Sequence, residues 1–156
     1  MSSFQLVGLP YDSFSKLFGW SDDELAEVNA RRVVADAPLS YPCRVSLADA
    51  EPGERLLLLP YTHLGVQSPY RSSGPIFVRE GAIQRVEAVD HIPPYVTRRL
   101  ISARAYDESG MMVEANVCEG FEAAALIRQM FANQKASYLH LYNAKPGCFS
   151  CRVNRT

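Results

Sequence analysis

The stretch LISARAYDESGMMVEANV, residues 100–117, decides the fold predicted from this sequence. Two apolar segments, Leu100 to Tyr106 and Met111 to Val117, flank the turn-forming residues Asp107-Glu108-Ser109-Gly110. Strands joined by so short a loop pair antiparallel, because a parallel pair needs a long crossover connection. The stretch therefore predicts a β-hairpin within an antiparallel sheet.

Other short apolar runs, separated by turn residues, extend this pattern along the chain. They predict further strands at residues 31–35, 56–61, 76–79, 84–89, 138–142 and 149–153. The last two of these form a second hairpin around residues 143–147. Short connections throughout favour a sheet that is mostly antiparallel.

Two stretches predict helices. Ser21-Asp22-Asp23-Glu24 is a capping box, which indicates a helix over about residues 22–29. Residues 120–133 carry a broad apolar face, which indicates a second helix buried against a sheet. The predicted class is α+β, with a large, mostly antiparallel, curved or barrel-like sheet and two main helices.

Length and charge bound the function. The 156 residues suit one domain, residues 1–156, and 47% hydrophobic content supplies its core. A net charge of −1 gives no long-range attraction for nucleic acid or an anionic membrane, so neither is an expected partner. Residues 1–10 lack the basic start of a secretory signal, and no apolar run approaches the ~20 residues of a membrane helix. We expect a cytoplasmic protein with reduced cysteines.

Four stretches carry a resemblance to a known family: YPCRVSL at 41–47, EPGERLLLL at 51–59, SPYRSSGPIFVR at 68–79 and PGCFSCRV at 146–153. Together they resemble the bacterial domain of unknown function 1203 (DUF1203) family, and the third stretch is the most specific. The resemblance covers nearly the whole chain. It implies a bacterial, single-domain, cytoplasmic protein and implies no activity.

Five of the eight tyrosines adjoin a proline, a combination that suits the rim of a preformed small-molecule pocket. Arg44 and Arg71 lie beside two of these loops. In the alternating segment 138–142, His140 shares one face with two tyrosines, which makes that face a pocket wall or a solvent face. The leading hypothesis is a non-catalytic pocket for a small anionic or polar ligand. Its candidate residues are Arg44, Tyr70, Arg71, His140 and Arg152. The alternative is that stiff aromatic loops merely cover the ends of the sheet.

A thiol-dependent hydrolase or transferase is a competing hypothesis. Cys118 precedes the second predicted helix, whose positive end would activate a thiol, although Glu119 and Glu122 oppose this effect. Cys118 or Cys43 would be the nucleophile and His140 the base. The alternative is that these cysteines are small buried hydrophobes.

A zinc-stabilised module is a third hypothesis. Cys148 and Cys151 have CxxC spacing, and Cys43 with His140 would complete a Cys₃His site. On a strand, however, positions three apart point to opposite faces, which favours two structural thiols instead. No glycine-rich phosphate loop occurs, and no cofactor is expected.

The last predicted strand bears on assembly. Residues 149–153 end three residues before Thr156, which suggests an exposed sheet edge able to pair with a second copy. A homodimer is therefore a possible assembly, although Arg152 and Arg155 are charges of the kind that protect such an edge.

Overall fold

A computed structural model describes residues 2–156, which form ten strands and three α-helices. The strands are β1 Phe4–Val7, β2 Arg31–Val34, β3 Pro42–Cys43, β4 Ala48–Asp49, β5 Arg55–Leu64, β6 Ser72–Arg79, β7 Leu100–Tyr106, β8 Met112–Glu119, β9 Tyr138–Asn143 and β10 Cys148–Arg155. The helices are α1 Asp22–Glu27, α2 Pro94–Thr97 and α3 Ala123–Phe131, with 3₁₀ turns at Tyr11–Ser13, Ser15–Gly19 and Gly120–Glu122.

The first sheet contains the predicted hairpin and has the order β1-β10-β9-β7-β8, antiparallel throughout. The hairpin forms because Asp107 Oδ1 accepts the N–H groups of Ser109 and Met111 at 2.8 and 3.0 Å. Gly110 then takes a φ of 76°, which an L side chain adopts only with strain. The prediction of strands 100–106 and 111–117 is confirmed.

The second sheet has the order β2-β5-β6-β3-β4. Its pairs are antiparallel except for β3 and β6, which meet in parallel at Cys43 and Phe77. The apolar run Leu56 to Leu59 lies in β5, an interior strand of this sheet, where Leu56 and Leu57 are fully buried.

The molecule is layered, with the first sheet in the middle. One face of that sheet packs against α3 through residues such as Ala103, Leu139 and Ile127. The opposite face packs against the second sheet, since Tyr142 and Phe149 share a core cluster with Ile76 and other residues of that sheet. His140 lies on this second face, because its cross-strand neighbour is Arg104 rather than the alternating alanines of β7.

The α+β class is confirmed, with three differences in detail. The strands divide between two five-stranded sheets, and neither closes within residues 2–156, so the arrangement is not a barrel. Helix α1 has the predicted capping box, with Ser21 Oγ accepting Glu24 N–H at 3.2 Å, but it ends at Glu27 before Asn29 turns left-handed. The second helix starts as a 3₁₀ turn and covers 123–131 rather than 120–133.

Two strand predictions were wrong. Residues 149–153 do not form an edge, because β10 pairs with β9 on one side and with β1 on the other. A local pattern does not reveal that the chain start returns to this position. Residues 84–89 form only an isolated bridge at Val86, since their N–H groups bond to separate segments around Val45 and Leu6. Within residues 2–156, no helix has the length and apolar composition to cross a lipid bilayer.

Candidate functional site

A cavity of about 510 Å³ opens between the second sheet and the hairpin that joins β9 to β10. Much of its wall is apolar: Pro42, Leu58, Pro75, Phe77, Leu100 and Pro146. Its described lining also contains four basic residues, Arg44, Arg98, Arg99 and Lys145, and no Asp or Glu. The cavity is therefore apolar in its body and positive in its charge.

Arg44 is the buried cation of this cavity, with 2% of its surface exposed. The Arg44 N–H donates to the Phe77 carbonyl and the Arg44 carbonyl accepts the Leu9 N–H, which holds the residue beside the end of β3. Its guanidinium donates from Nε to the carbonyl of Phe149 and from Nη1 to that of Pro42, each at 2.7 Å, and from Nη2 to Cys148 Sγ at 3.0 Å. Among residues 2–156, no carboxylate lies within 4 Å of it.

The other three cations differ in how they are neutralised. Arg99 forms a two-point ion pair with Asp49, at 2.5 and 3.2 Å, and so carries little free charge. Arg98 and Lys145 are exposed at the mouth and have no ion-pair partner in the described part of the chain. A ligand entering the cavity would meet these two cations first and Arg44 last.

Asn143 and Cys148 face each other across the base of the β9–β10 hairpin. The turn is closed by a bond from Gly147 N–H to the Asn143 carbonyl, with Gly147 at a φ of 75°. Asn143 Nδ2 lies 3.7 Å from Cys148 Sγ, while its buried Oδ1 has no hydrogen-bond partner within the described chain. The cavity wall thus holds a thiol and an unsatisfied amide.

A second group of side chains, aromatic rings and imidazoles, lies where the first sheet packs against the second sheet. We call His63, Tyr106, Tyr138, His140, Tyr142 and Phe149 the histidine–tyrosine cluster. The His140 ring is central to it, with centroids 4.9 Å from Phe149, 5.4 Å from Tyr138 and 5.6 Å from Tyr106. His63, from the end of β5, stacks on Phe149 at 5.1 Å.

Two arginines flank His140 in one row across three strands. Arg104 of β7 and Arg152 of β10 are its cross-strand neighbours. The Arg104 guanidinium lies 3.9 Å from the Tyr142 ring centre, and that of Arg152 lies 4.0 Å from the Tyr138 ring centre. Neither guanidinium has an ion-pair partner among residues 2–156.

Burial keeps both histidines of the cluster neutral. Desolvation, followed by the charges of His63, Arg152 and Arg104, lowers the pKa of His140 to about 3. Desolvation also lowers the pKa of His63. Among the buried polar atoms here, His140 Nδ1 has no hydrogen-bond partner within the described chain.

The predicted ligand-binding residues separate into three places. Arg44 lines the cavity, while His140 lies at the centre of the histidine–tyrosine cluster and Arg152 flanks it. Tyr70 touches the cluster only at its edge, with its ring 6.2 Å from that of Tyr106. Arg71 is exposed and donates from Nη1 to the Gly65 carbonyl, so it holds its own loop together.

The cysteine candidates are likewise dispersed. Cys118 is paired with Ile101 and packs on the α3 side of the sheet, so His140 lies on the opposite face. Burial, then Glu122 and Glu119, raises the pKa of Cys118. Cys43 is buried, and its Sγ accepts the Arg79 N–H at 3.3 Å. The structure therefore does not bring Cys118 and His140 together.

The CxxC cysteines have different surroundings. Cys148 faces the cavity, whereas Cys151 belongs to the core beneath α3, where burial raises its pKa to about 12. Across residues 2–156, no group of three or more His, Cys, Asp or Glu side chains is placed to hold a metal ion. The Cys43, His140, Cys148 and Cys151 set is not assembled around one point.

Several residues of these two places were not singled out from the sequence. Arg104 could have been found, because β7 alternates small buried residues with Ser102, Arg104 and Tyr106 on the other face. His63 lies two residues beyond the predicted strand 56–61, and Arg98, Asn143 and Lys145 lie in predicted connections. For these, no local pattern indicates a common cavity.

Comparison with known proteins gives a family and nothing beyond it. A family model described as "Protein of unknown function (DUF1203)" matches residues 40–155. The search of curated proteins and the search of solved structures each gave no match. The matched range includes the cavity residues Arg44 and Cys148 and all of the histidine–tyrosine cluster.

Proposed function

Because the chain belongs to the DUF1203 family, whose description carries no activity, we propose its function from the cavity: it binds a small organic anion. The observation that carries the proposal is the buried Arg44 guanidinium, which has no carboxylate partner in residues 2–156 and faces an open cavity. The family resemblance favours a bacterial, cytoplasmic setting. The proposal requires no cofactor.

A buried charge is costly unless something compensates it. Desolvating a guanidinium costs several kcal/mol, and the two carbonyls and the sulfur that Arg44 contacts offer partial charges only. Three of its five N–H groups are used in these contacts, which leaves two for a ligand. A bound carboxylate or phosphate would supply the missing negative charge with bidentate geometry.

The rest of the wall limits the ligand class. About 510 Å³ is within the range of small-molecule sites, which is roughly 300–1,000 Å³. The apolar walls suit a hydrocarbon or aromatic body, and Arg98 with Lys145 at the mouth would attract an anion as it enters. We therefore propose a ligand with one acidic head group beside Arg44 and an apolar remainder.

Cys148 provides an internal reporter of anion binding. Iodoacetate and iodoacetamide alkylate thiols by the same displacement, in which sulfur bonds to carbon and iodide leaves, but only iodoacetate carries a carboxylate. We expect the iodoacetate-to-iodoacetamide rate ratio to be about tenfold higher at Cys148 than at Cys118, which lies near the acidic Glu119 and Glu122. Mass spectrometry of the alkylated peptides measures both sites in one sample.

Variants distinguish the effect of the cavity cations on the ratio at Cys148 from the effect of the protein's overall charge. Arg44→Met should reduce the ratio at Cys148 to that of a neutral site, and Arg98→Met should reduce it about twofold. Arg71→Met removes the same charge outside the cavity and is the matched control. If the melting curve shows that Arg44→Met does not fold, the double variant Arg98→Met, Lys145→Met is used in its place to test the dependence of the Cys148 ratio on the cavity cations. Equal ratios at Cys148 and Cys118 in the wild type would refute anion binding in this cavity.

A further inference from the structure

We propose that Cys148 is an oxidation site, at which a hydroperoxide that enters the cavity converts the thiol to a sulfenic acid. Cys148 begins β10 and lines the cavity, and its side chain is partly exposed. The proposal goes beyond the binding of an organic anion, because a hydroperoxide is neutral and has no acidic head group. Two observations carry it: the contacts of the thiol and an unpartnered acceptor beside it.

The sulfur of Cys148 accepts N–H groups from two side chains. Arg44 Nη2 lies 3.0 Å from Sγ and Asn143 Nδ2 lies 3.7 Å from it. Both residues are almost completely buried, with 2% and 3% of their surfaces exposed. A sulfur that carries negative charge accepts hydrogen bonds more strongly than a neutral thiol, so both contacts strengthen as the sulfur attacks an electrophile.

The other three cysteines of the chain lack these surroundings. Cys43 and Cys151 are buried, and burial raises the pKa of Cys151 to about 12. Cys118 is partly exposed, but burial and then two neighbouring glutamates raise its pKa. Within residues 2–156, Cys148 is therefore the thiol that combines access from an open cavity with a cationic neighbour.

An unpartnered acceptor belongs to the same place. Asn143 Oδ1 is buried and has no hydrogen-bond partner within the described chain, while Nδ2 of the same amide faces Sγ of Cys148. Buried acceptors are almost always paired, and the S–H of a thiol is a weak donor. Oxidation places an O–H group, which is a strong donor, on this sulfur. Oδ1 would accept that group, directly or after a half-turn of the amide.

The hydroperoxide is the oxidant in this reaction. The sulfur attacks the outer oxygen, so that an S–O bond forms as the O–O bond breaks, and the sulfur loses the two electrons that the peroxide gains. The departing oxygen takes the thiol proton and leaves as an alcohol, or as water when the oxidant is hydrogen peroxide. The two Arg44 N–H groups that its three contacts leave free would donate to that oxygen as it becomes negative.

Trapping with dimedone tests the site in the full chain. The reduced protein is treated with hydrogen peroxide at neutral pH in the presence of dimedone, whose carbon bonds to a sulfenic sulfur as water leaves. Peptide fragmentation in a mass spectrometer distinguishes Cys148 from Cys151. We expect adducts to form about tenfold faster at Cys148 than at Cys118, and more slowly still at Cys151.

Variants show whether the contacts of the thiol are responsible. Arg44→Met should slow adduct formation at Cys148 about tenfold, whereas Arg44→Lys keeps the charge and should stay within about threefold of the wild type. Asn143→Asp replaces the amide with a carboxylate of the same shape and should slow the reaction about tenfold. This variant takes the place of Arg44→Met if the melting curve shows that Arg44→Met does not fold. Arg71→Met removes a charge outside the cavity and should leave the rate unchanged.

Three results would overturn the proposal. The first is adduct formation at Cys118 as fast as at Cys148, and the second is a wild-type rate in both Arg44→Met and Asn143→Asp. The third is an equal loss of rate in Arg44→Lys and Arg44→Met, which would make Arg44 a structural residue only. Because hydrogen peroxide is uncharged, this rate does not depend on anion binding, so it is distinguishable from the outcome of the iodoacetate experiment.

Discussion

His140 shows how one buried side chain links structure to pH. Its imidazole has a pKa of about 3 in the folded chain because burial disfavours the charged form, whereas an exposed histidine has a pKa of about 6.5. The unfolded chain therefore binds one more proton at this residue between these pH values. The stability that depends on a neutral His140 is complete above about pH 6.5 and is lost progressively as the pH falls toward 3.

Urea unfolding at a series of pH values measures this effect. We expect His140 to destabilise the fold by about 3 to 4 kcal/mol at pH 3 relative to pH 7. The variant His140→Phe cannot take up the proton and should show a correspondingly flatter pH profile. Arg71→Met serves as the control, because it removes an exposed charge in the 65–71 loop and keeps the titrating ring. Parallel profiles for the wild type and His140→Phe would contradict the buried, neutral imidazole.

The 107–110 turn shows which parts of an element a local sequence determines. Asp107 and Gly110 are sufficient to predict the turn between β7 and β8, and Ser21 with Glu24 predicts the start of α1. The sequence does not indicate that Gly110 also touches the 65–71 loop. A Cβ on Gly110 would lie 2.3 Å from Val66 Cγ2, so the 107–110 turn packs closely against the loop that joins β5 to β6 in a hairpin.

Gly110→Ala separates the two requirements on this glycine. It should lower the free energy of unfolding by about 2–4 kcal/mol, from both the left-handed backbone and the contact with Val66. Gly53→Ala is the matched control, since Gly53 has a φ of 93° and open space around it, and it should cost only about 1–2 kcal/mol. Chemical denaturation of both variants measures the difference.

A second substitution checks the steric part. Adding Val66→Ala to Gly110→Ala should recover most of the difference between the two glycine variants, because the smaller side chain leaves room for the new methyl group. If Gly110→Ala and Gly53→Ala are equally destabilising, the contact between the hairpins is not a constraint on the fold.

Across the whole molecule, prediction from sequence failed where distant segments meet. The Arg44 guanidinium bonds to Phe149, 105 positions away, and no local pattern places these two residues in one cavity. The alternation of β9 did predict that His140 shares a face with Tyr138 and Tyr142. The alternation could not show that a second sheet covers this face, because that depends on where β5 lies relative to β9 in the folded chain.

Homodimerisation stays a prediction, but it would have to use a strand edge other than that of β10. In the described chain the outer strands of the first sheet are β1 and β8, and β8 is the longer. We expect Val117→Lys, at a position 63% exposed on β8, to shift light-scattering mass from twice 17.4 kDa toward 17.4 kDa. Val86→Lys, 52% exposed and outside β8, is the control. If the wild type remains at 17.4 kDa as its concentration rises, the prediction of a homodimer is wrong.

The pairing of β1 with β10 has a consequence for the order of folding. Phe4 is matched with Arg155, so the ladder joins residues near opposite ends of the sequence. During synthesis β1 emerges early, and residues 86–90, which bond to one of its edges, follow well before β10 supplies its ladder partner on the other edge. Such high contact order slows the final step of folding, and until then the edge of β1 that pairs with β10 is open to other nascent chains.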